Sequence, residues 1–410
     1  MNESFDWIIV GAGSAGCVLA NRLSADPRHR VLLLEAGPAD SSPWIHVPLG
    51  YGRLFKHPKF NWLYDTEPEP ELDGRRIPQP RGKVLGGSSS INGLLYVRGH
   101  SEDFAAWRAA GAYGWGWADV LPYFRRAEHC VDIEDDWHGR DGPLAVSGPR
   151  DLHPLCDAFI AAGVEAGLPV NHGFNGRNQE GVGYYHATAR AGLRCSAAAA
   201  YLRPTRNRSN LKVVTGAHVE RLLLKDGRAT GVVWREGGSL HSATAGEVIL
   251  SAGAIATPHI LQLSGIGPGP LLQDLGLPVA HHAPGIGEEL QDHLQVRMVY
   301  RANRRLTIND QLRTVFGRAA VGARYALTRR GPLAVSAGYA GAFLRTDPQL
   351  TRPDVQLLFI IFSTQKMGEA LDQFSGVTVS ACQLQPESRG WVRAVSPDPL
   401  RAPSIQVNYL

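Results

Sequence analysis

The chain has 410 residues, 44% hydrophobic and 20% charged, with a formal net charge of +4. That length suits two domains, or one large domain with an insertion, and the composition supplies a core while excluding a disordered or fibrous chain. No run approaches the roughly 18 apolar residues of a membrane span, and scattered arginines without a basic block argue against a nucleic-acid partner.

The start, Met1-Asn2-Glu3-Ser4-Phe5-Asp6, lacks the basic and apolar stretches of a signal peptide. A cytoplasmic location is expected by default, and peripheral membrane contact stays open. The cysteines (Cys17, Cys130, Cys156, Cys195, Cys382) are odd in number and form no Cys-x-x-Cys pair. They read as structural thiols of a reducing compartment.

Trp7 to Val10 form a short apolar strand, followed by Gly11, Gly13 and Gly16 in a G-x-G-x-x-G spacing and by a helical stretch from Cys17 to Leu23. Val31 to Leu34 form a second apolar strand ending at Glu35. Gly11 permits a tight turn, Gly13 lets backbone approach a pyrophosphate, and Gly16 lets the helix pack close to the strand. The helix N-terminus offers unpaired N–H groups, and Glu35 stands where a carboxylate accepts hydrogen bonds from a ribose. The spacing predicts a dinucleotide site and leaves FAD and a nicotinamide cofactor both open.

The next informative stretch is "RGKVLGGSSSINGLLYVRG" at 81–99. Its Gly/Ser run cannot make a stable helix or strand on its own. Either it is a surface linker, or it lies flat against a ligand. Its apolar flanks and the Asn92-Gly93 pair favour the second reading.

Further along, "DLHPLCDAFIAAGVEAGLP" predicts an amphipathic helix, and strands are expected at Leu211–Thr215 and Glu247–Ser251. After about Arg301 the pattern turns to helix and then to strands: "DVQLLFIIF", "GVTVSACQLQ", "GWVRAVS" and "SIQVNYL". Turn residues between them suggest a mostly antiparallel sheet forming one wall of a cavity. The last stretch places Ile405, Val407 and Tyr409 on one face, the alternation of a half-buried strand.

These motifs resemble the glucose-methanol-choline (GMC) flavin oxidoreductases over essentially the whole chain. The resemblance rests on GAGSAG at 11–16, EAG at 35–37, RGKVLGGSSSING at 81–93, SAGAIATPHILQLSGIG at 251–267 and GIGEELQDH at 285–293. "NWLYDTEPEP" and "VSACQLQPESRG" look most like the choline-dehydrogenase-like branch. The implied fold class is α/β, a Rossmann-type FAD-binding domain with a smaller α+β substrate domain built on a mostly antiparallel sheet. The implied division is 1–150 with 190–300 for FAD, and 151–189 with 301–410 for the substrate.

The resemblance implies FAD. Gly11, Gly13, Ser14 and Gly16 would hold the pyrophosphate and Glu35 the adenosine ribose. Val84, Asn92 and Gly93 would lie against the flavin. Val219 would meet the adenine through its backbone, and Gly253 and Ala254 would pass close to the cofactor. Ile91 stands where some relatives tether flavin through a histidine, so non-covalent FAD is expected.

The implied reaction is oxidation of a primary alcohol, choline-like or other, by hydride transfer to flavin N5, with oxygen or a quinone as acceptor. In the family, the catalytic His and its partner lie beyond an "NYL"-like strand. The chain is therefore expected to be a shortened form, impaired in turnover, with an open sheet edge and exposed apolar surface. No catalytic base is nominated within it. His281, His282, Asp292 and His293 lack the spacing of a zinc site, and His100 is the more plausible cavity residue. Two alternatives remain: a flavin-binding remnant or interaction protein without turnover, and a lyase or decarboxylase on the same fold.

Overall fold

A computed structural model describes residues 3–366 and 368–410. In chain order, the strands of its two main sheets are β1 Glu3–Val10, β2 Val31–Glu35, β3 Gly181–Tyr184, β4 Leu211–Thr215, β5 His218–Lys225 and β6 Arg228–Glu236. They continue with β7 Ser239–Leu250, β8 Gln295–Arg301, β9 Ala340–Leu344, β10 Val355–Ile360 and β11 Gly376–Gln383. The helices that position the site are α1 Ser14–Leu23, α2 Pro154–Glu165 and α3 Gly253–Leu263.

The first sheet has the order β4-β2-β1-β7-β6-β5. β1 pairs in parallel with β2 and β7, and β2 with β4, whereas β5, β6 and β7 form an antiparallel meander. The runs Ile8–Val10 of β1 and Val31–Leu34 of β2 are continuously apolar because both faces are covered there. Along β2, Val31 and Leu33 join the core under α1, while Leu32 and Leu34 join the core under the meander and α3. The period of two is thus a division between two cores.

The second sheet, β8-β11-β10-β9-β3, is antiparallel at every step. α2 packs on it, with Phe159 stacked on Phe359 at 4.7 Å and Cys156 buried beneath. The four C-terminal strand signals do not all join this sheet. Trp391–Arg393 and Ser404–Gln406 pair only with each other among the described residues. Their Val392 and Ile405, with Val407 and Tyr409, pack against Ile255 of α3, on the side of the first sheet.

The final strand stops at Gln406, and Asn408 adopts a left-handed φ of 58°. The last residues are nonetheless held. Buried Glu69 accepts from the N–H groups of Val407 (3.1 Å) and Tyr409 (3.2 Å), and Tyr409 Oη donates to Asp292. All five cysteines are buried and unpaired, and burial pushes each thiol above its ordinary value, Cys17 to about 12. That environment makes them inert packing groups.

Besides the terminal strands β4 and β5 of the first sheet, two strand edges lack a partner among the described residues. Beyond Thr244, β7 pairs only with β1, leaving one side of 245–250 unmatched. β8 pairs only with β11, and its Val296, Met298, Val299 and Tyr300 are exposed. A long apolar edge of this kind templates pairing with another chain. The protein is therefore expected to self-associate as concentration rises, and Val299→Lys to shift it toward monomer in sedimentation velocity. A sample that stays monodisperse with β8 unaltered would contradict this.

Candidate dinucleotide site

The site begins where β1 turns into α1. Gly11 has a φ of +93°, and a Cβ there would fall 2.6 Å from the Ser251 carbonyl oxygen. A Cβ on Gly16 would fall 1.9 Å from the Gly11 carbonyl oxygen, so this glycine lets α1 cross the strand end at contact distance. α1 starts at Gly13 without a side-chain cap and without an acidic residue in its first turn. Its N-terminal N–H groups and dipole therefore act on the cleft outside, a ready site for an anion.

The Gly/Ser loop closes against this turn. Gly87, at φ +53°, lies so near that its Cβ would come within 2.7 Å of Gly13 Cα, and a Cβ on Gly82 would come within 2.2 Å of the Gly87 carbonyl. The loop is a pinned structure, not a linker. Ser89 Oγ donates to Gly86 O (2.6 Å) and Ser90 Oγ to Leu85 O (2.7 Å). Buried Arg194 donates to Ile45 O (2.8 Å), Ser89 O (3.1 Å), Asn92 Oδ1 (2.7 Å) and Asn92 O (2.7 Å). Burial pulls the Arg194 pKa down to about 9, so these neutral acceptors hold a cation at neutral pH.

Glu35 ends β2 with its carboxylate committed on both oxygens. Ala12 N–H donates to Oε2 and Gly37 N–H to Oε1, each at 2.9 Å. Burial raises its pKa to about 7, against the two backbone donors and Lys83, which oppose the shift. Its backbone carbonyl accepts from Ala217 N–H (2.8 Å), which fixes the start of β5 beside it.

These pieces border a cleft of about 940 Å³. The structure brings Gly11, Gly13, Ser14, Glu35, Val219, Gly253 and Ala254 together along it. Gly16, Val84, Asn92 and Gly93 lie outside its lining. Gly16 serves helix packing, and Val84 is buried with Ile45, Leu54, Phe60 and Ile91. Asn92 is the acceptor for Arg194, and Gly93 faces Ala337, whose Cβ would be 2.3 Å from an added methyl. Trp62, Lys83, His218, His259 and residues 399–403 line the cleft without having been singled out from the sequence. The only signals for them were their places inside or beside motifs: Trp62 in "NWLYDTEPEP", His259 in "SAGAIATPHIL", and His218 next to Val219.

The histidines weighed for catalysis or metal are spread apart. His281 and His282 are exposed, His293 Nε2 contacts Leu384 O at 3.1 Å, and Asp292 accepts from Tyr409. Among the described residues no group of three His, Cys, Asp or Glu side chains could hold a metal. His100 caps the helix Ser101–Ala109, its Nδ1 accepting from Glu102 N–H at 3.3 Å.

A dinucleotide fits this geometry: an uncapped helix N-terminus, glycines that keep side chains out of the way, and a carboxylate at the end of the second strand. The GMC oxidoreductase family model matches residues 5–295. The chain belongs to the GMC oxidoreductases. It is 46% identical over 413 residues to an oxygen-dependent choline dehydrogenase of Vibrio vulnificus (strain YJ016), covering 100% of this chain and 74% of that one. It is 43% identical over 411 residues to an alcohol dehydrogenase [acceptor] of Pseudomonas putida, covering 99% and 74%. Among solved structures, pyridoxine 4-oxidase from Mesorbium loti superposes with a TM-score of 0.88 at 32% identity, covering 99% of this chain and 76% of that one. FAD is the cofactor of this GMC fold.

Two substitutions test the site. In Glu35→Gln an amide donor must face a backbone donor, so FAD affinity is expected to fall roughly ten- to a hundredfold, from hydrogen bonds to a charged group worth about 1.5–3 kcal/mol; equilibrium dialysis reads this. The same variant tests the raised Glu35 pKa in FAD-free protein. Between the unfolded value of 4.5 and the folded value of about 7 the folded state holds the extra proton. This group's stabilisation is therefore complete below 4.5 and lost as pH rises through 7. Chemical denaturation across that window should show unsubstituted protein losing stability relative to Glu35→Gln. Gly87→Ala, left-handed and against Gly13, is expected to lower both melting temperature and flavin content, and an alanine variant that retains both would refute the close-approach reading.

Proposed function

We propose that this chain serves FAD-dependent oxidation of a primary alcohol, choline or a relative of it, to the aldehyde. The observation that carries the reading is the cleft in which the α1 N-terminus, Glu35 and the pinned Gly/Ser loop converge. Its support in substrate class comes from relatives named for choline and alcohol oxidation at 43–46% identity. Bound FAD would supply the acceptor for the hydride leaving the alcohol carbon. Gly11, Gly13 and Ser14 hold the pyrophosphate, Glu35 the ribose, and the backbone at Val219 the adenine, with Gly253 and Ala254 alongside. The loop carrying Val84, Asn92 and Gly93 serves the flavin end, held in place by Arg194, and Ile91 leaves the cofactor without a covalent tether. The division we adopt is 1–150 with 190–300 for the cofactor and 151–189 with 301–410 for the substrate, and two stretches cross it: β8 Gln295–Arg301 lies in the second sheet, and Val392, Ile405, Val407 and Tyr409 pack against Ile255 of α3.

Alcohol oxidation also needs a group to take the hydroxyl proton, and the four histidines weighed from the sequence do not supply it. His100 is a helix cap, His281 and His282 are exposed, and His293 is held by a carbonyl. About a quarter of each choline-dehydrogenase relative has no counterpart in these 410 residues. The engagement or exposure of those four histidines favours a second reading, flavin binding without turnover. No helix among the described residues is long and apolar enough to cross a membrane; a cytoplasmic enzyme passing electrons to oxygen or a quinone is our reading.

The decisive measurement is flavin absorbance during anaerobic addition of choline and other primary alcohols. Residues 1–410 loaded with FAD are expected to bleach slowly or not at all. A fusion carrying the remaining quarter of the Vibrio vulnificus relative is expected to bleach. Fast bleaching by residues 1–410 alone would mean that a base lies within them; a flavin-loaded fusion indifferent to every alcohol would refute the oxidoreductase reading.

A further inference from the structure

We propose that residues 395–402, the loop of the C-terminal hairpin, are a strap that closes over the adenosine end of the bound dinucleotide. The inference rests on the FAD reading above and goes beyond it by giving a part in holding the cofactor to a loop outside the family match at 5–295. Residues 399–403 border the cleft together with Glu35, Ala217, His218 and Val219. His218 Nε2 donates to Pro399 O at 3.1 Å, and Ala217 N–H donates to Glu35 O at 2.8 Å. These two bonds set the tip of the loop at the end of the cleft where Glu35 stands, the ribose end of the site.

The two ends of the loop are fixed. Before it, Ala394 is buried, and its N–H donates to Gln262 Oε1 of α3 at 2.6 Å. After it, Pro403 is buried, and Ile405 packs in the cluster that contains Ile255 of α3. Between these roots the bonds are local: Asp398 N–H to Ser396 Oγ (3.1 Å), Leu400 N–H to Asp398 Oδ1 (3.0 Å) and Arg401 N–H to Asp398 O (3.0 Å). Among the described residues, the bond from His218 is the one hydrogen bond that joins the loop to the first sheet. Leu400 is 61% exposed, and Arg401 and Ala402 are exposed as well, although all three border the cleft. Drawing Leu400 over a base takes apolar surface of both out of water. Fixed ends, a lightly bonded middle and an exposed apolar tip are the properties of a segment that opens for a ligand and closes on it.

The test is limited trypsin proteolysis of residues 1–410, free and with FAD, AMP or FMN, read by mass spectrometry. The Arg401–Ala402 bond lies in the loop, and the exposed pair Arg304 and Arg305, outside the cleft lining, is the control. FAD and AMP are expected to slow cleavage after Arg401 roughly tenfold, because cutting follows the population of the open form. FMN, which carries no adenosine, should leave it unchanged, and cleavage at the control pair should be the same throughout. Leu400→Ser is expected to release FAD about fivefold faster in stopped-flow fluorescence. Cleavage after Arg401 that is equally fast at FAD saturation, absent from the free protein, or slowed only in step with the control pair overturns the strap. FAD release unchanged in Leu400→Ser overturns it too. Unsubstituted protein that binds neither FAD nor AMP overturns the cofactor reading and this one with it.

Discussion

The rest of the site depends on one constraint, the contact of backbone on backbone at five glycines. Gly16 meets Gly11, Gly11 meets Ser251, Gly87 meets Gly13, and Gly82 meets Gly87, each at a separation that no Cβ could occupy. Three chain segments far apart in sequence, the first βα turn, the Gly/Ser loop and the end of β7, are thereby clamped around one point. That point is the uncapped N-terminus of α1. Because the surfaces there are backbone, no side chain stands between the cleft and the N–H groups of the first turn of α1, whose dipole makes that point favourable for an anion.

Charge is then distributed around that point with little freedom. Glu35 spends both oxygens on backbone donors, which fixes its carboxylate in one orientation before any ligand arrives. Arg194 spends its guanidinium on Ile45, Ser89 and Asn92, which fixes the Gly/Ser loop from its protein side. Neither group needs to reorganise when a dinucleotide binds, and preorganised dipoles of this kind hold charge more effectively than groups that must move.

How far the sequence foretold this depends on the kind of contact. The glycine spacing and Glu35 were legible because a steric exclusion permits one residue type only, and that leaves a mark at each position. The apolar runs of β1 and β2 were legible for a similar reason, since burial on both faces allows no polar residue. Val84, Asn92 and Gly93 were read as flavin neighbours from their motif, but the structure shows what their motif does for the loop: Val84 fills a core, Asn92 receives Arg194, and Gly93 makes room for Ala337. Arg194, 102 residues from Asn92, leaves no local signal of that partnership. The hairpin of Trp391–Arg393 and Ser404–Gln406 alternates as correctly as any strand of the second sheet. Only the tertiary fit of Val392 and Ile405 against Ile255 sends it to the other side.

β8 carries Val296, Met298 and Tyr300 on one face and Gln295, Arg297 and Arg301 with Val299 on the other, and Val296, Met298, Val299 and Tyr300 are exposed. The unmatched side of β7 runs into Ser251 and Gly253, which border the dinucleotide cleft. The cleft is bordered by β1, α1, β2, the Gly/Ser loop and the turn into α3, all within the span of the family match at 5–295, and by residues 399–403 outside it. The histidines weighed for proton transfer lie apart from one another: His100 caps a helix, His281 and His282 are exposed, and His293 meets the Leu384 carbonyl.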